Sequence, residues 1–127
     1  PLSKAEILKE GSDVTIVSYG QPLYYCSEAI RQIEKDLGNV SVELIDLRTV
    51  HPFDKETVFE SVKKTGRVMV VHEAYVNAGI GAEVAAAIQE NPDTFNRLEA
   101  PVRRVAGWDA HNSLAFEKFH LPDTASK

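Results

Sequence analysis

Two polar residues that directly follow an apolar run, His72 and Glu73, are the first candidates for chemistry in this sequence. The run 67–71 is typical of a buried strand, and Gly79 and Gly81 then open an alanine-rich helical pattern. In open α/β sheets, ligands and partners are bound at the carboxyl ends of the strands, just before the next helix. A functional site is therefore expected near His72, Glu73 and the loop that follows them.

The four histidines do not form a metal-binding motif. They lie in separate segments, and Glu73 is not followed by a histidine at the spacing of a zinc-binding H-E-x-x-H helix. We therefore expect each histidine to be solvent-facing or satisfied by a hydrogen bond, and none to be catalytic or to bind a metal. The histidines are His51, His72, His111 and His120.

No serine or cysteine lies in a motif for nucleophilic catalysis. Ser18 ends an apolar run, but the residues after it do not form the G-x-S-x-G turn of α/β-hydrolases. Cys26 is the only cysteine, which rules out a disulfide within the chain and favours a reducing compartment. With no cationic neighbour, Cys26 is interpreted as a small buried hydrophobic residue.

The two glycines allow two interpretations. Because Gly79 and Gly81 begin a helix after a strand, free N–H groups there could bind an anion. The loop lacks the third glycine of the dinucleotide fingerprint and the lysine of a P-loop, and the glycines lie about eight residues past the strand. The favoured interpretation is steric, since glycines let the helix start close to another backbone. A free-standing anion- or nucleotide-binding domain remains an alternative.

Glu73 also has two interpretations. A carboxylate at the end of a strand could act as a general acid or base, but the sequence offers no second acid at a fixed spacing. We therefore expect Glu73 to form an ion pair, either within the domain or with a basic partner.

Apolar runs that alternate with helical patterns predict an α/β fold with a mainly parallel sheet and helices on both faces. Asp54 is a good N-cap and Gly38 is suited to a left-handed helix end. One helical face is predicted from Leu23, Cys26, Ile30, Ile33 and Leu37. The predicted strands are 5–9, 14–18, 40–45, 67–71 and 101–107; the predicted helices are 22–37, 55–64 and 79–90, with further turns at 94–98 and 114–119.

Length and composition fit one ordinary globular domain, residues 1–127. The chain is 43% hydrophobic and 26% charged, with a formal charge of −5 and no basic stripe. These values argue against nucleic acid as a partner and are compatible with a basic protein partner. No apolar run is long enough to span a membrane, and no signal peptide is recognisable.

Four segments together resemble one family. They are G-S-D-V-T-I-V-S-Y-G at 11–20, E-L-I-D-L-R-T-V-H-P-F-D at 43–54, K-T-G-R-V-M-V-V-H-E-A at 64–74 and L-E-A-P-V-R-R-V-A-G at 98–107. In this order they are similar to the C-terminal domain of the β subunit of thiamine-diphosphate-dependent 2-oxoacid dehydrogenases, a domain of the transketolase C-terminal type. The resemblance covers about residues 4–123.

Within that family the sequence is most similar to the branched-chain, or 2-oxoisovalerate, enzyme. The segments V-H-E-A at 71–74, G-W-D at 107–109 and F-E-K-F-H-L-P-D at 116–123 carry this likeness. The sequence departs from the pattern with A-H-N-S at 110–113, where prolines and a phenylalanine are common. The alternatives are the same domain of a pyruvate dehydrogenase β subunit or of a transketolase-type enzyme.

The resemblance implies a three-layer α/β/α fold with a five-stranded mixed sheet whose first short strand is antiparallel. It implies that thiamine diphosphate and Mg²⁺ bind elsewhere in the parent enzyme, so no catalytic, cofactor-binding or metal-binding residue is assigned here. The isolated fragment is expected to be inactive. The compartment expected for the parent multienzyme complex is the mitochondrial matrix in a eukaryote and the cytoplasm otherwise.

The resemblance also implies a role in assembly. The expected partners are the α subunit and a second β subunit, in a heterotetramer, and the subunit-binding domain of the dihydrolipoyl acyltransferase. Glu73 matches the acidic position of the family after the strand, so Glu73 is the expected contact for the basic acyltransferase domain. Because the family continues into a terminal helix, we also expect this chain to be a fragment with an exposed apolar surface.

Overall fold

The structure is a computed structural model that describes residues 2–110. It contains five strands and four helices in these residues. The strands are β1 (Glu6–Lys9), β2 (Val14–Ser18), β3 (Val42–Asp46), β4 (Val68–Tyr75) and β5 (Arg103–Gly107). The helices are α1 (Pro22–Leu37), α2 (Lys55–Thr65), α3 (Ile80–Glu90) and α4 (Pro92–Phe95).

The strands form one mixed sheet in the order β1-β3-β2-β4-β5. Strand β1 pairs antiparallel with β3, whereas the pairs β2–β3, β2–β4 and β4–β5 are parallel. The crossovers that join the parallel strands are helical, as parallel pairing requires. The predicted five-stranded mixed sheet with an antiparallel first strand is therefore confirmed.

Helices cover both faces of the sheet, which completes the predicted three layers. On one face α1 packs against the sheet, and its Cys26 and Ile30 bury Ile16 and Leu44 of the central strands. On the other face α2 and α3 pack side by side over β2 and β4 in a larger cluster. The members of that cluster are Val17, Leu47, Phe53, Val58, Val62, Val68, Val70, Val84, Ala87 and Ile88.

The helix ends follow the local signals in the sequence. Asp54 caps α2 and accepts a hydrogen bond from the Thr57 N–H at 3.3 Å. Gly38 ends α1 with a φ of 69°, in the left-handed region predicted for it. Pro22 occupies the first turn of α1, where its missing N–H is not needed.

The expected end of the fourth strand was wrong. Strand β4 continues past Val71 through His72 and Glu73 to Tyr75. The polar residues suggested a loop, but His72 lies inside the domain, only 1% exposed, with partners for its ring. Segment 72–74 nevertheless lies in an irregular stretch, because the register between β4 and β5 shifts between Val71 and Tyr75.

The expected apolar face of α1 was also too wide. Cys26 and Ile30 are buried, but Ile33 is 39% exposed and Leu37 is 60% exposed. Neither Ile33 nor Leu37 belongs to the hydrophobic cluster that the described residues form under α1. The predicted turn at 114–119 lies outside the described residues.

Strand β1 forms one edge of the sheet and is short. Its register with β3 shifts between Ile7 and Lys9. Glu6 pairs with Arg48, and Lys9 pairs with Glu34 at 2.6 Å. Both ends of this edge strand therefore carry charged side chains that are already paired.

None of the helices within residues 2–110 is long and apolar enough to cross a membrane.

Candidate functional site

The expected site centres on His72, which uses both of its ring nitrogens inside the domain. Its Nδ1 lies 3.0 Å from the carbonyl oxygen of Ala74, and its Nε2 lies 3.1 Å from the backbone nitrogen of Gly81. Because the Gly81 N–H can only donate, Nε2 must accept, and because the Ala74 carbonyl can only accept, Nδ1 must carry the proton. His72 is therefore a neutral imidazole in a single tautomer.

The surroundings of His72 keep it neutral. Burial lowers the pKa of His72 from its ordinary value of 6.5, the hydrogen bond to Ala74 opposes this, and the positive charge of Arg104 lowers the pKa further. The ring of Tyr19 stacks beside it with a centroid distance of 6.5 Å. A group with both nitrogens occupied and a lowered pKa is poorly suited to exchange protons with a substrate.

Gly79 and Gly81 make room for the His72 ring. A Cβ atom on Gly81 would lie 2.5 Å from His72 Nε2, and one on Gly79 would lie 2.7 Å from His72 Cε1 and would collide with the Tyr75 carbonyl oxygen. Real Cβ atoms do not approach other atoms this closely. The geometry therefore supports the steric interpretation of the two glycines, with the histidine ring as the main neighbour.

The amino end of α3 offers little to an anion. The Gly81 N–H donates to His72, and the Ala82 N–H donates to the Gly79 carbonyl at 2.9 Å. Two of the first three N–H groups of the helix are thus already bonded, which disfavours the phosphate-binding alternative.

Glu73 lies beside this arrangement and points away from the core. Its side chain is exposed and makes no ion pair with any residue between 2 and 110. Burial, and then the negative charge of Glu73, raises the pKa of Tyr19. A structural ion pair within the described part of the chain is therefore not found, and a free carboxylate remains at the carboxyl edge of the sheet.

The loop after β4 is held by residues that the sequence did not single out. Arg104 donates to the Val76 carbonyl at 2.6 Å, and Asn77 donates to the Asp109 carboxylate through its backbone at 3.1 Å and its side chain at 2.6 Å. These contacts span about thirty residues of sequence and carry no local motif. Only the rule that strand ends meet at one edge could have brought them together.

The other candidates are placed apart from this site. His51 is exposed in the loop before α2, and Cys26 is buried under α1, where burial raises the pKa of its thiol. His111 and His120 lie outside the described residues. Within residues 2–110, no three His, Cys, Asp or Glu side chains are grouped so that they could hold a metal ion. The described residues therefore supply no cluster of side chains that would hold Mg²⁺.

Comparison with known families agrees with this fold. The model of the family described as transketolase, C-terminal domain, matches residues 3–126. The chain belongs to the transketolase C-terminal domain family. Three proteins similar to this transketolase C-terminal domain are described below: two are enzyme subunits, and the third is a solved structure.

The first relative is the mitochondrial 2-oxoisovalerate dehydrogenase subunit beta of Chaetomium thermophilum, with 71% identity over 127 residues, all of this chain and 27% of the relative. The second is the pyruvate dehydrogenase E1 component subunit beta of Rickettsia bellii, with 43% identity over 96% of this chain and 37% of the relative. The transketolase C-terminal domain described here therefore spans between 27% and 37% of the length of these relatives.

The solved structure is a split-gene transketolase in an inactive beta4 tetramer. It matches with a TM-score of 0.76 and 30% identity, over 94% of this chain and 37% of the other. The likeness covers the sheet and its helices, which is what a shared transketolase C-terminal fold requires.

Proposed function

We propose that residues 1–127 form a non-catalytic assembly and docking domain of the β subunit of a branched-chain 2-oxoacid dehydrogenase. The observation that carries this proposal is the 71% identity to a 2-oxoisovalerate dehydrogenase β subunit along the entire chain. The parent reaction is the oxidative decarboxylation of branched-chain 2-oxoacids with acyl transfer to lipoyl. The relative is named as mitochondrial, and the mitochondrial matrix is the compartment proposed for this protein in a eukaryote.

The non-catalytic role is supported by the carboxyl edge of the sheet. Both nitrogens of His72 are bonded within the domain, so the ring is not available to a substrate. Thiamine diphosphate and Mg²⁺ are placed in other parts of the parent enzyme. The purified chain should therefore decarboxylate no 2-oxoacid even when both are added, and measurable turnover would contradict this part of the proposal.

The docking role is assigned to Glu73. Its free, exposed carboxylate can pair with a cation on the subunit-binding domain of the dihydrolipoyl acyltransferase, and charge pairs of this kind steer association in a salt-dependent way. The α subunit and a second β subunit complete the proposed heterotetramer.

The test is charge reversal in the complete heterotetramer. Glu73→Lys should weaken binding of the acyltransferase domain by about tenfold and reduce its dependence on salt, because a rim ion pair becomes a repulsion. Decarboxylation measured with an artificial electron acceptor should not change. Glu90→Lys is the matched control, since Glu90 is also exposed and lies at the far end of α3. If the Glu73→Lys enzyme bound the acyltransferase domain as tightly as the unaltered enzyme, Glu73 would not be part of the interface.

Two alternatives differ in what they require. The first alternative is a pyruvate dehydrogenase β subunit, which is supported by the 43% identity to such a relative. The substrate preference of the complete enzyme would distinguish it from the branched-chain assignment. A free-standing anion-binding domain would need the amino end of α3, where His72 occupies the Gly81 N–H. Calorimetric titration with inorganic phosphate and with a nucleotide should give no saturable heat, and saturable binding would favour this second alternative.

A further inference from the structure

One imidazole ring connects the end of strand β4 to the start of helix α3. The two partners of His72 are Ala74, two residues further along the strand, and Gly81, nine residues further along the chain. Because the ring belongs to His72, its bond to Gly81 closes a loop of backbone that runs from position 72 to position 81. Glu73 and the segment up to Gly79 lie within that loop.

The sheet holds this segment from one side only, through strand β5. Regular pairing of β4 with β2 ends at Val71, whereas pairing with β5 shifts in register after Val71 and is present again at Tyr75–Gly107. Within the described residues, further bonds to the segment are Val76 N–H to the Gly107 carbonyl at 3.2 Å, the Arg104 bond to Val76 and the Asn77 bonds to Asp109. Movement of segment 73–79 therefore breaks the Tyr75–Gly107 end of the β4–β5 pairing and leaves the pairing of β2 with β3 and β4 intact.

The groups that face His72 mostly oppose a positive charge on it. Arg104 approaches from β5 with a positive charge, and the amino end of α3 carries a partial positive charge at Gly81. Tyr19 approaches from the loop after β2 with a neutral phenol. Of the titratable neighbours in the described part of the chain, only Glu73 is negative, and its side chain is directed to solvent.

We propose that His72 is a positioning residue whose neutral ring fixes the segment 73–79, and that protonation of the ring releases this segment while the core stays folded. A protonated ring carries hydrogens on both nitrogens, so Nε2–H would face the Gly81 N–H, donor against donor. The backbones of Gly79 and Gly81 lie close against the ring and restrict its rotation. The segment moves instead, and the Gly81 bond is lost.

The release has a consequence for partner binding that rests on the proposed function. If Glu73 contacts the acyltransferase, then a fixed segment presents the carboxylate in one position, and a released segment must be ordered again on binding. Ordering a flexible segment costs affinity even when the contacts in the complex are unchanged. Docking should therefore weaken as the pH falls, beyond what ion pairing alone predicts.

The release itself is tested by NMR on the full 127-residue chain, labelled with ¹⁵N, between about pH 8 and about pH 5.5. The imidazole nitrogen shifts should report one neutral tautomer at the upper pH. As the ring protonates, below its ordinary pKa, the amides of Val76 and Gly81, which donate to Gly107 and to His72, should lose protection from hydrogen exchange by at least tenfold. The amides of Val17 and Val70 in the core should keep their protection.

His72→Gln is the decisive variant, because glutamine offers one donor and one acceptor and does not titrate. It should keep the upper-pH spectrum and lose the acid transition, whereas the control His51→Gln, at an exposed histidine, should keep the transition. If His72→Gln does not fold, the imidazole shifts of the unaltered protein still decide the question. A transition that persists in His72→Gln, that is absent altogether, or that includes the core amides would overturn the proposal.

Docking is then measured separately with the complete heterotetramer and the isolated acyltransferase domain. Between about pH 7.5 and about pH 5, affinity should fall at least threefold more in the unaltered enzyme than in the His72→Gln enzyme. Equal losses would contradict the link to docking while leaving the NMR result standing. Glu73→Lys, measured at the upper pH, tests separately whether Glu73 is a docking contact. A failure of the pH-dependent release can therefore be told apart from a failure of the proposed docking function.

Discussion

The two ends of the sheet both bury a polar side chain: both ring nitrogens of His72 are bonded, whereas only one carboxylate oxygen of Glu43 has hydrogen-bond partners among the described residues. At the carboxyl end, neutral His72 is bonded to two backbone groups that lie within nine residues of it. At the amino end, the carboxylate of Glu43 is completely buried and is bonded to Lys64 and to the Gly11 N–H, 21 and 32 residues away. The buried side chain at the carboxyl end is neutral and bonds to residues nearby in the sequence. The buried side chain at the amino end is charged and bonds to residues far away in the sequence.

Three hydroxyl side chains are also buried at the amino end of the sheet, where they bond to one another. Thr15 is bonded to Ser61 at 2.6 Å and to Thr65 at 2.7 Å, beneath the last turn of α2. Burial raises the pKa of Glu43, but the bonds from Lys64 and from the Gly11 N–H outweigh it, so the pKa lies below its ordinary value of 4.5. The carboxylate therefore remains ionised at neutral pH only because its partners are in place.

The comparison teaches that the two ends should fail in different ways. Removing a partner of Glu43 leaves a buried charge that only unfolding of the domain can expose to water. Disturbing His72 breaks contacts within one loop, so the loop can open by itself.

The largest effect is expected for Lys64→Met, which removes the cation of the buried pair. It should lower the free energy of unfolding at neutral pH by about 3 kcal/mol, at the lower end of the range for broken buried pairs because Lys64 is half-exposed. Urea unfolding followed by far-UV circular dichroism measures it. Lys63→Met is the control, since Lys63 pairs only with exposed Glu60 among the described residues and should cost less than about 0.5 kcal/mol. Similar losses in both variants would contradict the comparison.

Gly81→Ala should have the next largest effect, about 1–3 kcal/mol, because the new methyl group overlaps the His72 ring. The same substitution in a His72→Ala background should cost much less, since the ring is then gone. Thermal unfolding of the single and double variants measures the coupling between them. Additive losses would show that the ring is not what Gly81 accommodates.

The pH dependence of stability should show two separate windows. Because the pKa of His72 is lowered in the folded state, the folded protein binds fewer protons than the unfolded chain below pH 6.5, so stability falls as the pH decreases below 6.5 and is unaffected above it. Because the pKa of Glu43 is also lowered, its contribution is present above pH 4.5 and is lost as the pH falls below that value. Each pKa unit corresponds to about 1.4 kcal/mol.

Urea unfolding at a series of pH values resolves the two windows. His72→Gln should remove the dependence between about pH 6.5 and about pH 5 and leave the acid window, and Glu43→Gln should do the reverse. If either variant altered both windows equally, the two ends of the sheet would not be independent.

The smallest effect on stability is expected for Glu73→Lys. An exposed side chain without an ion pair in the described residues should change the free energy of unfolding by less than about 0.5 kcal/mol. A loss above about 1 kcal/mol would mean that Glu73 supports the fold, and any docking defect of this variant would then be indirect.

Much of the fold was predictable because its signals are local. The Asp54 cap, the left-handed Gly38 and the alternation of strands with helices each occupy a few neighbouring residues. The antiparallel first strand came from family resemblance. The end of β4 was predicted too early, since a polar histidine after an apolar run looks like the start of a loop. Only the Ala74 carbonyl and the Gly81 N–H explain why this polar ring is buried.

The candidate site was predicted only in part. Its position at the carboxyl end of a strand and the exposure of Glu73 follow from a general rule about parallel sheets. The contributions of Arg104 and Asp109 depend on contacts across about thirty residues, and the buried Glu43 depends on a lysine from another element. Residues so far apart in the sequence form no recognisable motif, so their contacts could not be predicted from the sequence alone.

The edge strand β1 has a consequence for solubility. An unpaired strand edge is a template on which another chain can add, and β1 carries the partly exposed apolar side chains Ile7 and Leu8. Its four-residue length, its register shift and the paired charges of Glu6 and Lys9 all interrupt that template. The sheet is thereby protected from growing sideways into aggregates at the one edge where its outermost strand runs against all the others.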